Sequence, residues 1–206
     1  MRSKEEVVQE FRVQSIQDAT MRVIGRKGMS AATIQEIADE AGVAKGTIYL
    51  YFRDREELVE KTFERAMSQL LEKIDEAIAA NSDFEHKVRA IMAAKLAFFT
   101  ANREFFRLYL SLRMPEGNAQ EQRRQKQRCQ PRYHTRTQQF ADILKEAMDR
   151  GEIRRADPYR LAIFIIEGST AIILERLSES SSPDEQADVD FMTSFILDGV
   201  RKRSRS

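Results

Sequence analysis

The sequence predicts an all-α protein of about nine helices, with a small N-terminal three-helix unit followed by a larger helical domain. Apolar residues recur at helical spacing along most of the 206 residues, and no segment shows the strict alternation of a β-strand. The four prolines all lie near candidate helix boundaries. The first helix is expected over about residues 5–27, with Gly28 as its stop. We therefore expect residues 1–53 to form the first unit and residues 54–206 the second.

A helix-turn-helix is predicted next in the chain. Thr33 and Glu36 form the T-x-x-E pattern of a capping box, and Gly42 follows the last apolar residue of the short helix that they begin. A second short helix starts almost at once, so the connection is a sharp corner, and Ile48 and Phe52 share the face that packs inward. Such a corner places its second helix in the DNA major groove, although an ordinary helical hairpin with a solvated face has the same spacing.

The outward side of that second helix carries residues suited to DNA. Lys45 and the nearby tyrosines suit phosphates, and Thr47 suits either a phosphate or a base edge. Ala44 is small enough to touch a thymine methyl group. Gly46 removes a side chain where two backbones are expected to come close.

With its flanks, this segment resembles the DNA-binding domain of the TetR family of bacterial transcriptional regulators. Glycines, aromatic residues and apolar positions agree with the family pattern in their spacing. The matching residues are Ile24 to Gly28, Thr33, Ile37 and Ala38, Ala41 to Val43, Lys45 to Tyr49, Tyr51 and Phe52, and Glu56 to Leu58. The resemblance implies that DNA, mostly its phosphates, is contacted by Thr33, Lys45, Thr47, Tyr49 and Tyr51.

Two positions depart from the family pattern. Leu50 stands where a polar or basic residue is often found, which removes one expected phosphate contact and offers an apolar contact with a thymine methyl group. Arg55 stands where a lysine usually opens the next helix, and its guanidinium can fork onto a phosphate. The predicted DNA-binding residues are therefore Thr33, Ala44, Lys45, Gly46, Thr47, Tyr49, Leu50, Tyr51 and Arg55.

The charge balance does not by itself indicate a nucleic-acid partner. The formal net charge is +1, and residues 1–55 carry nine Lys and Arg against eight Asp and Glu. Affinity for double-stranded DNA must therefore come from local arrangement, together with helix N-termini aimed at phosphates. The basic residues expected on one face are Arg2, Lys4, Arg12, Lys45 and Arg55.

The rest of the chain predicts further helices. A fourth helix, capped by Asp54 and Glu57, is expected to run to about Ala80 and to link the two units. A break is expected at Asn102, and Pro131 is expected to interrupt any helix around it. Later boundaries are expected at Gly151, at Asp157-Pro158, and at the ends of a final helix over about residues 184–203.

Residues 84–113 are rich in aromatic side chains, which either pack as plain core or line a partly apolar cavity. The basic run within residues 115–136 is either a solvated face or an entrance that attracts an acidic or phosphate-bearing ligand. The family resemblance implies a small-molecule pocket in this region. The predicted pocket residues are Phe98, Phe99, Phe105, Phe106, Tyr109, Tyr133, Phe164 and Glu167.

Two apolar helices near the C-terminus predict a homodimer interface. Residues 161–166 are apolar on all sides, so this helix must be buried by its own domain and by a partner as well. Small residues such as Gly168 allow two helices to approach closely. The resemblance implies that the last two helices pair across a two-fold axis. The predicted interface residues are Ile165, Gly168, Ile172, Phe195, Ile196 and Gly199.

Together these features predict a homodimeric transcriptional regulator, a repressor released from a palindromic operator by a small hydrophobic ligand that can carry an acidic group. A DNA-processing enzyme is one alternative, but His86 and His134 lack ligand-spaced partners, so no catalytic residue, metal or cofactor is expected. A DNA-coating protein without a ligand is the other alternative. The lone Cys129, the charged start and the absence of a long apolar run predict a cytoplasmic protein without a membrane partner.

Overall fold

A computed structural model describes residues 3–113, 119–178 and 184–201, with Arg113 and residues 119–133 as backbone only. Within these ranges the chain forms nine α-helices and no strand, as the sequence predicts. None of the described helices is long and apolar enough to span a membrane. The helices are α1 (Lys4–Lys27), α2 (Ile34–Ala41), α3 (Lys45–Tyr49), α4 (Arg55–Ala79), α5 (Phe84–Ala101), α6 (Arg103–Arg113), α7 (Ala119–Asp149), α8 (Pro158–Ser178) and α9 (Glu185–Val200).

The chain divides into two compact units by its contacts. Unit 1 contains Met1–Gln69 and Asn102–Lys126, and unit 2 contains Leu70–Ala101 and Gln127–Ser206. Helices α4 and α7 supply residues to both units. The functional boundary expected after residue 53 stays a prediction.

Unit 1 is built on the inward faces of α1, α2 and α3. Ile16, Ile37 and Ile48 are each no more than 1% exposed, and they come from three successive helices. Helix α1 packs against both α2 and α6. Gly25 makes the second approach possible, since it leaves room for α6 where a side chain would meet Glu104.

Helix α6 is held in unit 1 by a hydrogen bond and by aromatic packing. Arg107 donates from Nη1 to the Gly25 carbonyl oxygen at 2.6 Å. Phe63 of α4 lies 5.7 Å from Phe105 and 6.4 Å from Tyr109, measured between ring centroids. Phe106 stacks on Tyr109 at 6.3 Å. These aromatic residues of α6 therefore form part of the core of unit 1.

Unit 2 is organised by polar side chains among apolar helices. Lys95 of α5 is buried, and its ammonium donates to Ser169 Oγ at 2.7 Å and to Thr170 Oγ1 at 2.9 Å, both on α8. Arg176 of α8 is also buried and lies 2.5 Å from the Asp188 carboxylate of α9. Buried charges are costly unless they are paired, so these contacts fix which face of α8 turns inward.

One sequence expectation about the helices is wrong. Helix α7 runs without interruption from Ala119 to Asp149, through Pro131. A proline inside a helix removes one backbone hydrogen bond, but the turns on either side keep their own bonds and can continue. The other boundaries agree with the expectations: Gly28 and Gly151 end helices with positive φ, and Asn102 separates α5 from α6.

Replacing Gly25 with alanine should destabilise the fold. The new Cβ would lie 2.8 Å from Glu104 Cγ and 3.2 Å from its Cα, so α6 would have to shift. We expect the free energy of unfolding to fall by about 1–3 kcal/mol, as in other overpacked sites, measured by urea denaturation.

Gly46→Ala is the matched control for this change. A Cβ at Gly46 meets nothing within 4 Å, so this variant reports the helix-propensity gain alone, roughly 0.5–1 kcal/mol. Equal stability of the two variants would contradict the close approach of α6 to α1.

Candidate nucleic-acid interface

The first helix of the corner is set by its capping residues. Thr33 Oγ1 accepts from the Glu36 N–H at 3.3 Å, and Glu36 Oε2 accepts from the Thr33 N–H at 3.0 Å, which completes the expected capping box. Gly42 ends the helix in the left-handed conformation, with φ of 67°. The Val43 N–H then donates to the Ala38 carbonyl at 3.0 Å. The corner is therefore fixed by residues that the sequence identifies.

Helix α3 presents most of its surface outward. Only Ile48 within it is buried, and Phe52 just beyond it is buried as well. Leu50 is 79% exposed and Tyr49 is 49% exposed, so both project large apolar groups into solvent. The remaining predicted contact residues on this side are exposed or half-buried, namely Ala44, Lys45, Gly46, Thr47 and Tyr51. Exposure of these residues agrees with their predicted role, and their contacts with DNA stay a prediction.

Two predicted residues behave differently from the expectation. Gly46 has no neighbour within 4 Å of a Cβ placed on it, so no close backbone approach within the chain requires a glycine there. Arg55 donates from Nε to the Ala32 carbonyl oxygen at 2.9 Å and from Nη2 to the Met29 carbonyl oxygen. Its guanidinium therefore braces the connection between α1 and α2 in the structure instead of standing open for a phosphate.

Ion pairs between α1 and α2 neutralise much of the basic surface of α1. Glu40 accepts from Arg26 at 2.5 Å and from Arg22 at 2.7 Å, and these bonds, the first above all, lower the pKa of its carboxyl to about 2. The bond from Lys27 is the main cause that lowers the pKa of Glu36 to about 2. Both carboxylates therefore stay charged well below neutral pH, and both hold basic side chains of α1 in ion pairs.

The predicted single basic face stays a prediction, since these ion pairs involve other basic residues of α1. Lys4 and Arg12 lie in the exposed first half of α1, before the buried positions begin at Ile16. Arg2 lies outside the described residues. Lys45, the first residue of α3, is exposed and has no ion pair with any residue that the structure describes, so it is the basic side chain of this helix that is open to a partner.

The predicted pocket residues are distributed over both units. Phe105, Phe106 and Tyr109 are buried in unit 1, whereas Phe98 and Phe99 belong to unit 2, where their rings meet edge to face at 6.0 Å. Glu167 is half-buried in unit 2, but Phe164 is 63% exposed and so does not line an interior cavity of its own unit. The side chains of Tyr133 and of most of the basic run lie outside what the structure describes. The pocket itself stays a prediction.

The predicted dimer surface is partly exposed. Gly168 and Gly199 have open space around them, and Phe195 is 59% exposed, as an interface requires of residues in a single chain. Ile172 is half-buried. Ile165 and Ile196 are instead buried within unit 2.

Sequence reasoning missed Phe164 and Phe191 as members of this outward surface. Phe164 lies one turn before Gly168 on α8, and Phe191 stacks on Phe195 along α9 at 6.1 Å. The four-residue spacing of each pair is a signal that could have found them.

Across the described residues, no group of three or more potential ligands is placed to hold a metal ion.

Comparisons with known proteins show which proteins this chain is similar to. Residues 16–62 match the family model of the bacterial regulatory proteins of the tetR family. The fatty acid metabolism regulator protein of Bacillus subtilis is 25% identical over 181 residues, which cover 88% of this chain and 89% of that protein. These matches are to regulators of transcription and not to enzymes, in agreement with the sequence-based expectation.

Two solved structures share the fold. The fatty acid degradation regulator FadR from Bacillus halodurans superposes with a TM-score of 0.79 at 24% identity, over 93% of this chain and 97% of that chain. The transcriptional regulator FadR from Bacillus subtilis, in complex with stearoyl-CoA, gives 0.78 at 23% identity, over 91% of this chain and 99% of that chain. The nine helices that the structure describes are therefore arranged as in these two regulators.

Proposed function

We propose that this chain, which belongs to the TetR family of bacterial regulatory proteins, is a homodimeric repressor that a small hydrophobic ligand releases from a palindromic operator. The observation that supports DNA binding best is the outward surface of α3. Its buried side holds only Ile48, so nearly every other side chain of the helix is available to a partner. A helix of this kind at a sharp corner enters the major groove.

The contacts on this surface divide by chemistry. Lys45 suits a phosphate, and the tyrosines beside it suit phosphate or sugar. Leu50 and Ala44 are apolar and exposed, so they suit the methyl group of thymine. Gly46 has open space on its outward side, which suits the close passage of a DNA backbone in the complex. Arg55 contributes by holding the loop before α2.

The dimer is proposed on the outward surface of α8 and α9. Large exposed apolar side chains lie there beside glycines at which an added Cβ would meet nothing within 4 Å. Monomeric proteins rarely expose such a group of aromatic residues, and helices that present small residues pack closely against a copy of themselves. The surface comprises Phe164, Gly168, Ile172, Phe191, Phe195 and Gly199.

The ligand acts through a difference in affinity. A repressor is released only if its ligand binds the DNA-free arrangement more tightly than the DNA-bound one. Helix α4 directly follows the DNA-binding segment and supplies residues to both units, so we propose it as the element through which binding in the larger domain alters the spacing of the two DNA-binding heads.

We further propose a long-chain acyl thioester as the ligand. A relative regulates fatty acid metabolism by its name, and one solved structure with this fold holds stearoyl-CoA. The aromatic residues Phe98 and Phe99 of unit 2 are apolar and suit an acyl chain.

DNA recognition is tested by selection from a pool of random duplexes. We expect enrichment of a near-palindromic site with half-site centres about 10 base pairs or a small multiple apart. Lys45→Ala should weaken binding to all sequences alike and reduce the salt slope by about 1 for each lysine removed, because a phosphate contact is lost. Leu50→Ala should relax the preference at one position of each half-site.

The matched control is Lys145→Ala, which removes an exposed lysine of unit 2 that pairs with Asp149. This variant should bind DNA as the unchanged protein does. Sequence-blind binding without a palindrome would contradict the regulator and favour the DNA-coating alternative.

The dimer is tested with Phe195→Glu. A carboxylate in the centre of the proposed surface should weaken dimerisation by more than about 100-fold, so that light scattering gives the mass of one chain, 23.9 kDa. Operator affinity should fall with it. Phe11→Glu, which changes another exposed phenylalanine in α1, should leave the dimer intact. A dimer that survives Phe195→Glu would place the interface elsewhere.

The ligand is tested by thermal shift and operator binding with stearoyl-CoA, stearate and free CoA in parallel. Stearoyl-CoA should raise the melting temperature, since a ligand at 100 times its Kd stabilises by about 2.7 kcal/mol, and should weaken operator binding. Free CoA should do neither. Stabilisation without any change in operator affinity would refute the ligand as an effector.

A further inference from the structure

A polar groove in unit 2 lies between the second half of α7 and the start of α8. Its volume is about 480 Å³, and it is open to solvent. None of the residues predicted for DNA, ligand or dimer contacts lines it. The lining residues are His134, Thr135, Gln138, Gln139 and Asp142 of α7 and Tyr159 of α8.

One wall of this groove is a nearly flat aromatic surface. His134 Nδ1 and the Tyr159 hydroxyl are 2.5 Å apart, while the ring centroids are 6.2 Å apart and the ring planes differ by only 16°. The rings therefore meet edge to edge through the hydrogen bond instead of lying face to face. Such a surface attracts polarised C–H groups, because the faces of aromatic rings carry partial negative charge.

The other lining side chains of α7 carry groups that both donate and accept hydrogen bonds. Gln138 donates from Nε2 to Asp142 Oδ1 at 2.9 Å, which orients its amide and leaves an acceptor and a second N–H on that side chain. Gln139 accepts from Arg136 Nη1 at 3.4 Å. Amides held in this way match ligand hydroxyls, each of which is both donor and acceptor.

The charges around the groove are of opposite sign and nearly balanced, which favours a ligand without a charge of its own. Within the described lining, Asp142 carries the one formal charge. Arg136 lies beside the groove, where its guanidinium donates to the lining residue Gln139. A phosphate would meet the carboxylate, and a polyamine would meet the guanidinium. A neutral polar ligand avoids both costs.

We propose that this groove binds a neutral polyhydroxylated molecule the size of one or two sugar rings. The C–H face of the ring lies on His134 and Tyr159, and its hydroxyls pair with Gln138, Gln139 and Asp142. This site is separate from the acyl ligand proposed above and does not depend on it, since none of the residues proposed for that ligand lines it.

The experiment uses the full-length chain and the two histidines, the only ones in the sequence, as reporters. Imidazole signals in a ¹H–¹³C correlation spectrum are assigned with His134→Ala and His86→Ala and then followed during titration with maltose, sucrose and myo-inositol. We expect a saturable shift of the His134 signals with at least one of these, at a Kd of roughly 1 mM, and no shift of His86.

Tyr159→Phe should weaken that titration by about fivefold to tenfold, because one hydrogen bond of about 1 kcal/mol is lost, and circular dichroism confirms its fold. His86→Ala is the matched control and should bind unchanged. Spermidine and adenosine monophosphate are titrated in parallel as charged probes.

No saturable His134 shift with any of the three neutral probes overturns the proposal. Equal shifts of both histidines, or a saturable response to a charged probe alone, overturn it as well. Operator binding is measured on the same samples, so a silent groove with intact DNA binding is distinguishable from failure of the regulatory function.

Discussion

The burial of Ile48 and Phe52 is the interaction on which the recognition surface depends. Helix α3 has only five residues, and its N-cap, Ala44, provides no side-chain hydrogen bond. Isolated helices shorter than about 12 residues are marginal in water, so α3 owes its existence to packing against α2. The outward direction of Lys45, Tyr49 and Leu50 follows from that packing. The capping box and the left-handed Gly42 support the same packing, since they fix where α2 begins and ends and so where α3 lies against it.

The attachment of α6 extends this dependence to a distant part of the chain. Helix α6 contacts α1 at Gly25, where a side chain on α1 would collide with Glu104 of α6. Arg107 of α6 donates a hydrogen bond to the carbonyl oxygen of the same glycine. Helix α6 cannot slide along α1 without breaking this bond or moving Glu104 against the backbone. The helices that carry the recognition surface are thus packed together with a distant segment, whose Arg107 follows Gly25 by 82 positions.

In unit 2 a few buried polar groups determine which face of each apolar helix lies inward. Lys95 draws Ser169 and Thr170 inward, and Arg176 is fixed by Asp188. With those positions inside, Phe164 and Gly168 are left on the outer side of α8. Apolar packing has little directionality, whereas an ammonium or a guanidinium needs partners at defined positions. The exposed aromatic surface is therefore a consequence of interior hydrogen bonds.

The sequence by itself determined the local features of this protein, and the tertiary structure decided the use of its side chains. The capping pair at Thr33, the stop at Gly42, the break at Asn102 and the start at Pro158 could be predicted, because each rests on residues a few positions apart. The inward side of an all-apolar helix such as α8 could not be predicted, because its partner Lys95 lies about seventy positions earlier in the chain. The same holds for Arg55, whose acceptors Met29 and Ala32 become neighbours only after folding. Local patterns set backbone conformation, but contacts between distant residues set what each surface offers to a partner.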